Sequence, residues 1–286
     1  MNELLDKKKI RQVYRNVQKH QRTEALIRQF SSNKEDIRLT SLKTLDLMHC
    51  QNVLELGCAF GSFTDALKNQ LHPQAHITGL DIVAEYEPFF LQACGRAGYS
   101  GTFSSAGVHQ IKKYPAESFD LVICSFALYF FIGIIPDIAR ILKPDGVFIT
   151  ITHSEKNMQE LISITRSILK NNRLLDEYET LPIEIILQQF STENGKSLLT
   201  PYFTRIEHVY FHNSLIFQTH EIESLMEYYQ FKKPFFLTTI NANKKNILDQ
   251  LLSEMRMLAT RENILNMCKD DSIFICGKNS LPEGGK

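Results

Sequence analysis

Val53-Leu54-Glu55-Leu56-Gly57-Cys58-Ala59-Phe60-Gly61 decides the fold. Asn52–Gly57 is a short apolar run ending in glycine, and helical spacing follows over Phe63–Leu71. The pattern predicts a strand that runs into a glycine bend and then a helix. Glycine has two uses at such a bend. It accepts a positive φ, and it lets a ligand touch backbone where a Cβ would clash. In open α/β sheets, ligands sit at the carboxyl ends of strands, beside the first strand.

A second element strengthens the first. His76–Leu80 reads as a strand and ends at Asp81, where a carboxylate can accept hydrogen bonds from the two hydroxyls of a ribose. A dinucleotide site asks for G-x-G-x-x-G, but Ala59 and Ser62 stand at its second and third glycine positions. The second glycine serves close approach to a pyrophosphate, so a dinucleotide is disfavoured. A P-loop is excluded because no Gly-Lys-Ser/Thr triplet follows.

Outward from this core, helices and strands alternate. Ala84–Ala97 reads as a helix, Gly101–Ser104 and Phe119–Ser125 as strands, and Ile134–Leu142 as a helix. Lys143-Pro144-Asp145-Gly146 is a turn signal, and Val147–Thr152 is a strand. Short loops between such elements imply right-handed crossovers and a parallel sheet. Upstream, Ile10, Val13, Tyr14 and Val17 recur at helical spacing, with further helices expected at Thr23–Phe30 and Leu42–Met48. Beyond His153, helices are expected at Lys156–Lys170, Pro182–Glu193, Thr219–Tyr229 and Lys244–Arg261. Strands are expected at Arg205–Phe217 and Ser272–Cys276. The reading divides the chain into an N-terminal helical cap (1–50), a ligand-binding core (51–155), a lid with the final strands (156–278) and a polar tail (279–286).

Bulk properties narrow the partners. The 32 basic and 32 acidic residues cancel, so the basic excess typical of nucleic-acid binders is missing and no anionic membrane is implied. The longest uncharged run, Leu121–Ile135, falls short of the ~20 residues of a spanning helix. Charges begin at Glu3, with no apolar signal segment. The six cysteines form no C-x-x-C pair and read as reduced thiols, which points to the cytoplasm. His208 and His212 lie four apart in a strand-like segment with no third ligand in reach, so no metal is expected.

The glycine bend resembles motif I of the class I S-adenosylmethionine-dependent methyltransferases. Asp81 matches that family's acid after strand two, Phe119-Asp120-Leu121-Val122 its strand four, and Leu142-Lys143-Pro144-Asp145-Gly146 its turn before strand five. The resemblance covers about residues 50–155. It implies a doubly wound, mostly parallel seven-stranded α/β sheet with an antiparallel last strand, N-terminal helices and a helical insertion near the C-terminus. It also implies S-adenosylmethionine as cofactor and S-adenosylhomocysteine as product. By the same likeness, Glu55 lies near the methionine amino group. Gly57, Cys58, Ala59 and Gly61 form the cofactor bend, Asp81 holds the ribose, Ile82 packs on adenine, and Ser125 closes the site at the end of strand four. Two departures stand out. Ala59 replaces a glycine, and the loop after strand three, Ser104-Ser105-Ala106-Gly107-Val108, lacks the acid that often receives the adenine amino group.

Methyl transfer from a sulfonium needs alignment and exclusion of water more than acid–base machinery. Acceptor-site candidates follow strands four and five: Tyr129, which can face a small acceptor or the sulfonium, and His153, which can serve as a base. No Asn/Asp-Pro-Pro-Tyr/Phe follows strand four and no Pro-Cys nucleophile is present, so a small molecule is the expected acceptor, at N or O, with a protein second. The layout is similar to small-amine N-methyltransferases. The alternatives are a non-catalytic or protein-directed S-adenosylmethionine-binding protein and, third, a nicotinamide oxidoreductase.

Overall fold

A computed structural model describes residues 7–237 and 244–278, so the tail expected at 279–286 lies outside the described residues. In chain order the elements are α1 (Lys7–Tyr14), α2 (Val17–Phe30), α3 (Ile37–Leu42), β1 (Asn52–Leu56), α4 (Ser62–Ala66), β2 (His76–Leu80), α5 (Glu87–Ala97), β3 (Ser100–Ser104) and β4 (Phe119–Ser125). Then come α6 (Ile135–Ile141), β5 (Leu142–His153), α7 (Gln159–Asn171), α8 (Pro182–Gln189), α9 (Gly195–Leu199), β6 (Arg205–Phe211), β7 (Ser214–Gln218), α10 (Ile222–Leu237), α11 (Lys244–Glu262), β8 (Ile264–Cys268) and β9 (Asp271–Gly277). They form two compact units that interleave along the chain. Among the described residues, a sheet unit takes 35–152, 189–211 and 272–278, and a helical unit takes 7–34, 153–188, 212–237 and 244–271.

The sheet unit is built on a seven-stranded sheet of order β3-β2-β1-β4-β5-β9-β6, mostly parallel with an antiparallel edge strand. Val53 pairs with Ile77 of β2 and with Leu121 of β4, so β1 is central. Leu121, Val122, Ile123 and Cys124 are all fully buried. An unbroken apolar strand of this kind is what a sheet covered on both faces requires. The Lys143–Gly146 turn signal ends no strand. Phe119 pairs with Leu142 and Leu121 with Val147, so the extra residues bulge out within β5. Asp120 fixes this edge by accepting from Lys143 Nζ (2.7 Å) and from the amides of Gln51 and Asn52.

The helical unit has its own apolar core, which joins Leu26 and Phe30 of α2, Leu161 and Leu169 of α7, Tyr229 and Phe236 of α10 and Leu251 and Met255 of α11. It also holds a two-stranded antiparallel sheet, β7 with β8. The single strand expected at Arg205–Phe217 is therefore two strands in different sheets. The break falls at Asn213, whose side chain donates to Ser31 Oγ and accepts from Asn33 N, while its own amide donates to Asp270. A residue whose polar groups are all spent on loops cannot continue a ladder. The third N-terminal helix also lies earlier than Leu42–Met48 predicts, because the Asp36 side chain accepts from Arg38 N and starts it at Ile37.

Candidate active site

The bend after β1 and the end of β2 are joined by backbone. Gly57 N–H donates to Leu80 O at 2.7 Å. Three residues of the bend, Gly57 (φ +67°), Ala59 (φ +44°) and Gly61 (φ +83°), are left-handed. Glycine is needed at two of them for reasons internal to the chain. A Cβ on Gly57 would stand 2.7 Å from Ala127 Cβ, and one on Gly61 would stand 2.5 Å from Ala93 Cβ. Ala59 takes the third left-handed position at a steric cost that glycine would avoid.

Asp81 ties the two loops together. Its Oδ2 accepts from Ala59 N (3.0 Å), and its Oδ1 accepts from Ile82 N (2.7 Å) and Val83 N (3.0 Å). Burial pushes this carboxyl up, and the three amides pull it back toward the ionised form. An ionised carboxylate offers about four lone-pair positions. Three are filled here by the chain, so the carboxylate is already oriented, with about one acceptor position to spare.

Glu55 is buried at 3% exposure, and its Oε2 accepts from the Thr64 hydroxyl of α4 at 2.5 Å. Burial raises its carboxyl to about 7, against the lowering pull of Thr64. A cation brought beside it would reverse that rise. The Cys58 side chain packs into the apolar core, and burial holds its thiol well above the ordinary range. Its contribution to the bend is backbone. Ile82 is half-buried, and Gly107, left-handed at φ +78°, lets the loop after β3 close on it: a Cβ there would lie 2.7 Å from Ile82 Cγ2. In that loop Ser104 Oγ donates to Gln110 Oε1 at 2.6 Å. Gln110, which the sequence reading passed over, thus brings an amide to the place where the expected acid is missing.

Ser125 ends β4 opposite Ile151 of β5. The next residue, Phe126, is left-handed at φ +53°, a costly conformation for a bulky side chain. Such strain clusters at functional sites. Tyr129 follows in a short 3-10 turn, buried, with its ring edge-on to Phe130 at 4.7 Å. The structure thus brings Glu55, Gly57, Cys58, Ala59, Gly61, Asp81 and Ile82 together at the carboxyl ends of β1 and β2. Ser125 and Tyr129 follow the neighbouring strand β4.

His153 belongs to the helical unit and sits in a buried ionic group. Its Nδ1 lies 2.6 Å from Asp271 Oδ1, and Lys269 Nζ donates to both oxygens of Asp271 (3.0 and 2.8 Å). The short contact assigns the proton on Nδ1 as donated to Asp271, which makes Nε2 the nitrogen with the lone pair. Burial, and then the Lys269 charge, depress the imidazole to about 4 despite Asp271, so it is neutral at physiological pH. Asp271 and Lys269 lie more than a hundred residues from His153, and no local motif signals them. His208 is elsewhere, bonded to the Ser272 hydroxyl and stacked on Phe274.

Residues 54–150 match the family model described as a methyltransferase domain. The core has the fold of the class I S-adenosylmethionine-dependent methyltransferases. This methyltransferase fold is shared with solved structures at low identity. The YcgJ protein of Bacillus subtilis is 16% identical with a TM-score of 0.52, over 85% of this chain and 99% of that one. A provisionally named methyltransferase of Bacillus halodurans C-125 is 12% identical with a TM-score of 0.55, over 85% and 98%. The [4+2]-cyclase SpnF is 12% identical with a TM-score of 0.50, over 85% and 81%. The comparison with curated proteins gives no match.

Proposed function

We propose that this chain binds S-adenosylmethionine at the ends of β1 and β2 and transfers its methyl group to nitrogen or oxygen of a small molecule. One observation carries the reading. Asp81 and the Gly57–Gly61 bend, 22 residues apart between Ala59 and Asp81, meet through a 3.0 Å hydrogen bond at the carboxyl ends of the neighbouring parallel strands β1 and β2, next to the switch point between β1 and β4.

The residues fit the group. Asp81 offers an oriented carboxylate with about one open acceptor position to a ribose hydroxyl. Glu55 offers a carboxyl that an adjacent ammonium would hold ionised. Ile82 offers an apolar face, and Gln110 a side-chain amide for an adenine edge. When bound, S-adenosylmethionine supplies a methyl whose S–CH₃ bond breaks as an acceptor lone pair attacks, leaving a neutral thioether. The chain then has to orient, exclude water and, for a protonated acceptor, remove a proton. His153, neutral and held by Asp271, belongs to the helical unit, and at about 4 its imidazole is a weak base, so an acceptor that already presents a lone pair is favoured. Tyr129 is suited to line the acceptor side.

A radiolabelled methyl donor, incubated with a small-molecule extract and separately with a protein extract, tests this. Label is expected in the small-molecule fraction and lost with Asp81→Ala. Label in protein alone would favour a protein-directed enzyme. Cofactor binding without label in either fraction would favour a protein that kept the fold without methyl transfer, a reading that the cyclase neighbour keeps in play.

A further inference from the structure

The helical unit contains a partly buried cation that the proposed chemistry does not use. Lys232 lies on α10, and its Nζ donates to Tyr14 Oη of α1 at 2.8 Å. The ammonium stands over three aromatic rings, those of Tyr14 (5.1 Å), Phe231 (5.5 Å) and Phe235 (5.8 Å). His20 stacks on Phe231 and extends the aromatic wall. Among the described residues no carboxylate pairs with Lys232, and its only hydrogen bond goes to a neutral phenol. Asp271, an acid of the same unit, already accepts from Lys269 and His153.

An ammonium has three protons to donate. One is used, and the rings soften the burial of the charge without neutralising it. Desolvation lowers this lysine to about 8, as expected of a cation taken from water without a counter-charge. A charge partly withdrawn from water without a counter-charge gains little stability over an apolar side chain of similar shape. A ligand that brings the missing negative charge accounts for it.

We propose that Lys232, Tyr14, Phe231 and Phe235 form a binding site for a small carboxylate carried on an aromatic or apolar body. Lys232 donates its remaining protons to the carboxylate, Tyr14 Oη lies beside the ammonium, and the rings receive the body. The methyl-transfer reading concerns the sheet unit, and this site belongs to the helical unit. The site itself does not depend on that reading and is tested by binding alone.

Titration calorimetry with phenylacetate, phenylacetamide and phenethylamine is the experiment, on wild type, K232M and Y14F. Wild type is expected to bind phenylacetate at least tenfold more tightly than the neutral amide or the amine. K232M is expected to lose at least tenfold in phenylacetate affinity, Y14F less, and K232M to melt no lower than wild type without ligand. Three results would each overturn the proposal: phenylacetate binding within threefold of wild type in K232M, tighter binding of the amine, or no phenylacetate heat in wild type. A lowered melting temperature of K232M would do the same, because it would make the lysine a structural clamp. Absence of S-adenosylmethionine binding would defeat the proposed function and leave this site standing.

Discussion

The bend around Asp81 and the ionic group around His153 solve one problem in two ways. Each buries a carboxylate, Asp81 at 8% exposure and Asp271 at 5%. Asp81 is satisfied by backbone amides from residues 59, 82 and 83. Asp271 is satisfied by side chains, Lys269 and His153. Amides are fixed dipoles that no substitution except proline removes, so the first arrangement is rigid and written in local sequence. The second depends on side chains that can be removed one at a time, and its charge balance can be tuned.

The sharpest way to break that contrast is Lys269→Met. Removing one partner of a buried pair leaves an uncompensated charge, at a cost of about 3–5 kcal/mol. Denaturant unfolding should register that loss. The His153 imidazole should rise from about 4, because a positive neighbour is gone, and NMR titration of the ring reads it directly. Glu55→Gln should have the next largest effect. Glu55 is held near 7 in the folded chain, above its ordinary 4.5. A carboxyl raised on folding stabilises below its unfolded pKa, and that stability is lost as pH rises through 7. Wild type should therefore lose up to about 3 kcal/mol relative to the glutamine variant between pH 4 and 8, without cofactor. A flat difference would show that Glu55 is ionised throughout. Asp81→Ala should weaken S-adenosylmethionine binding by about 1.5–3 kcal/mol, the scale of a lost charged hydrogen bond. Ala59→Gly is the smallest change. Relief of the left-handed strain should stabilise by about 0.5–1 kcal/mol, partly offset by glycine's entropy in the unfolded chain.

The same contrast explains how much was legible. His76–Leu80 and Phe119–Ser125 stand where alternation and apolar runs place them, because both are buried strands of a parallel sheet. The bend was legible because its glycines answer a local backbone demand. Thr64 was not, since a threonine on a helix gives no sign that it faces Glu55. Asp271 and Lys269 were not, because their relation to His153 exists only after the chain has folded back over 116 and 118 residues. The strand read across Arg205–Phe217 failed at Asn213, where the polar run His212-Asn213-Ser214 interrupts the apolar pattern and Asn213 turns its hydrogen bonds to Ser31 and Asp270. Strand β8 went unread because Ile264–Cys268 is short and follows directly on a helix.

Titration calorimetry of the intact chain with S-adenosylmethionine, S-adenosylhomocysteine and NAD bears most directly on the central claim. The account predicts saturable one-site heat for the first two, weakened at least tenfold by Asp81→Ala, and none for NAD. Binding of NAD alone, or S-adenosylmethionine heat unchanged in Asp81→Ala, would contradict it.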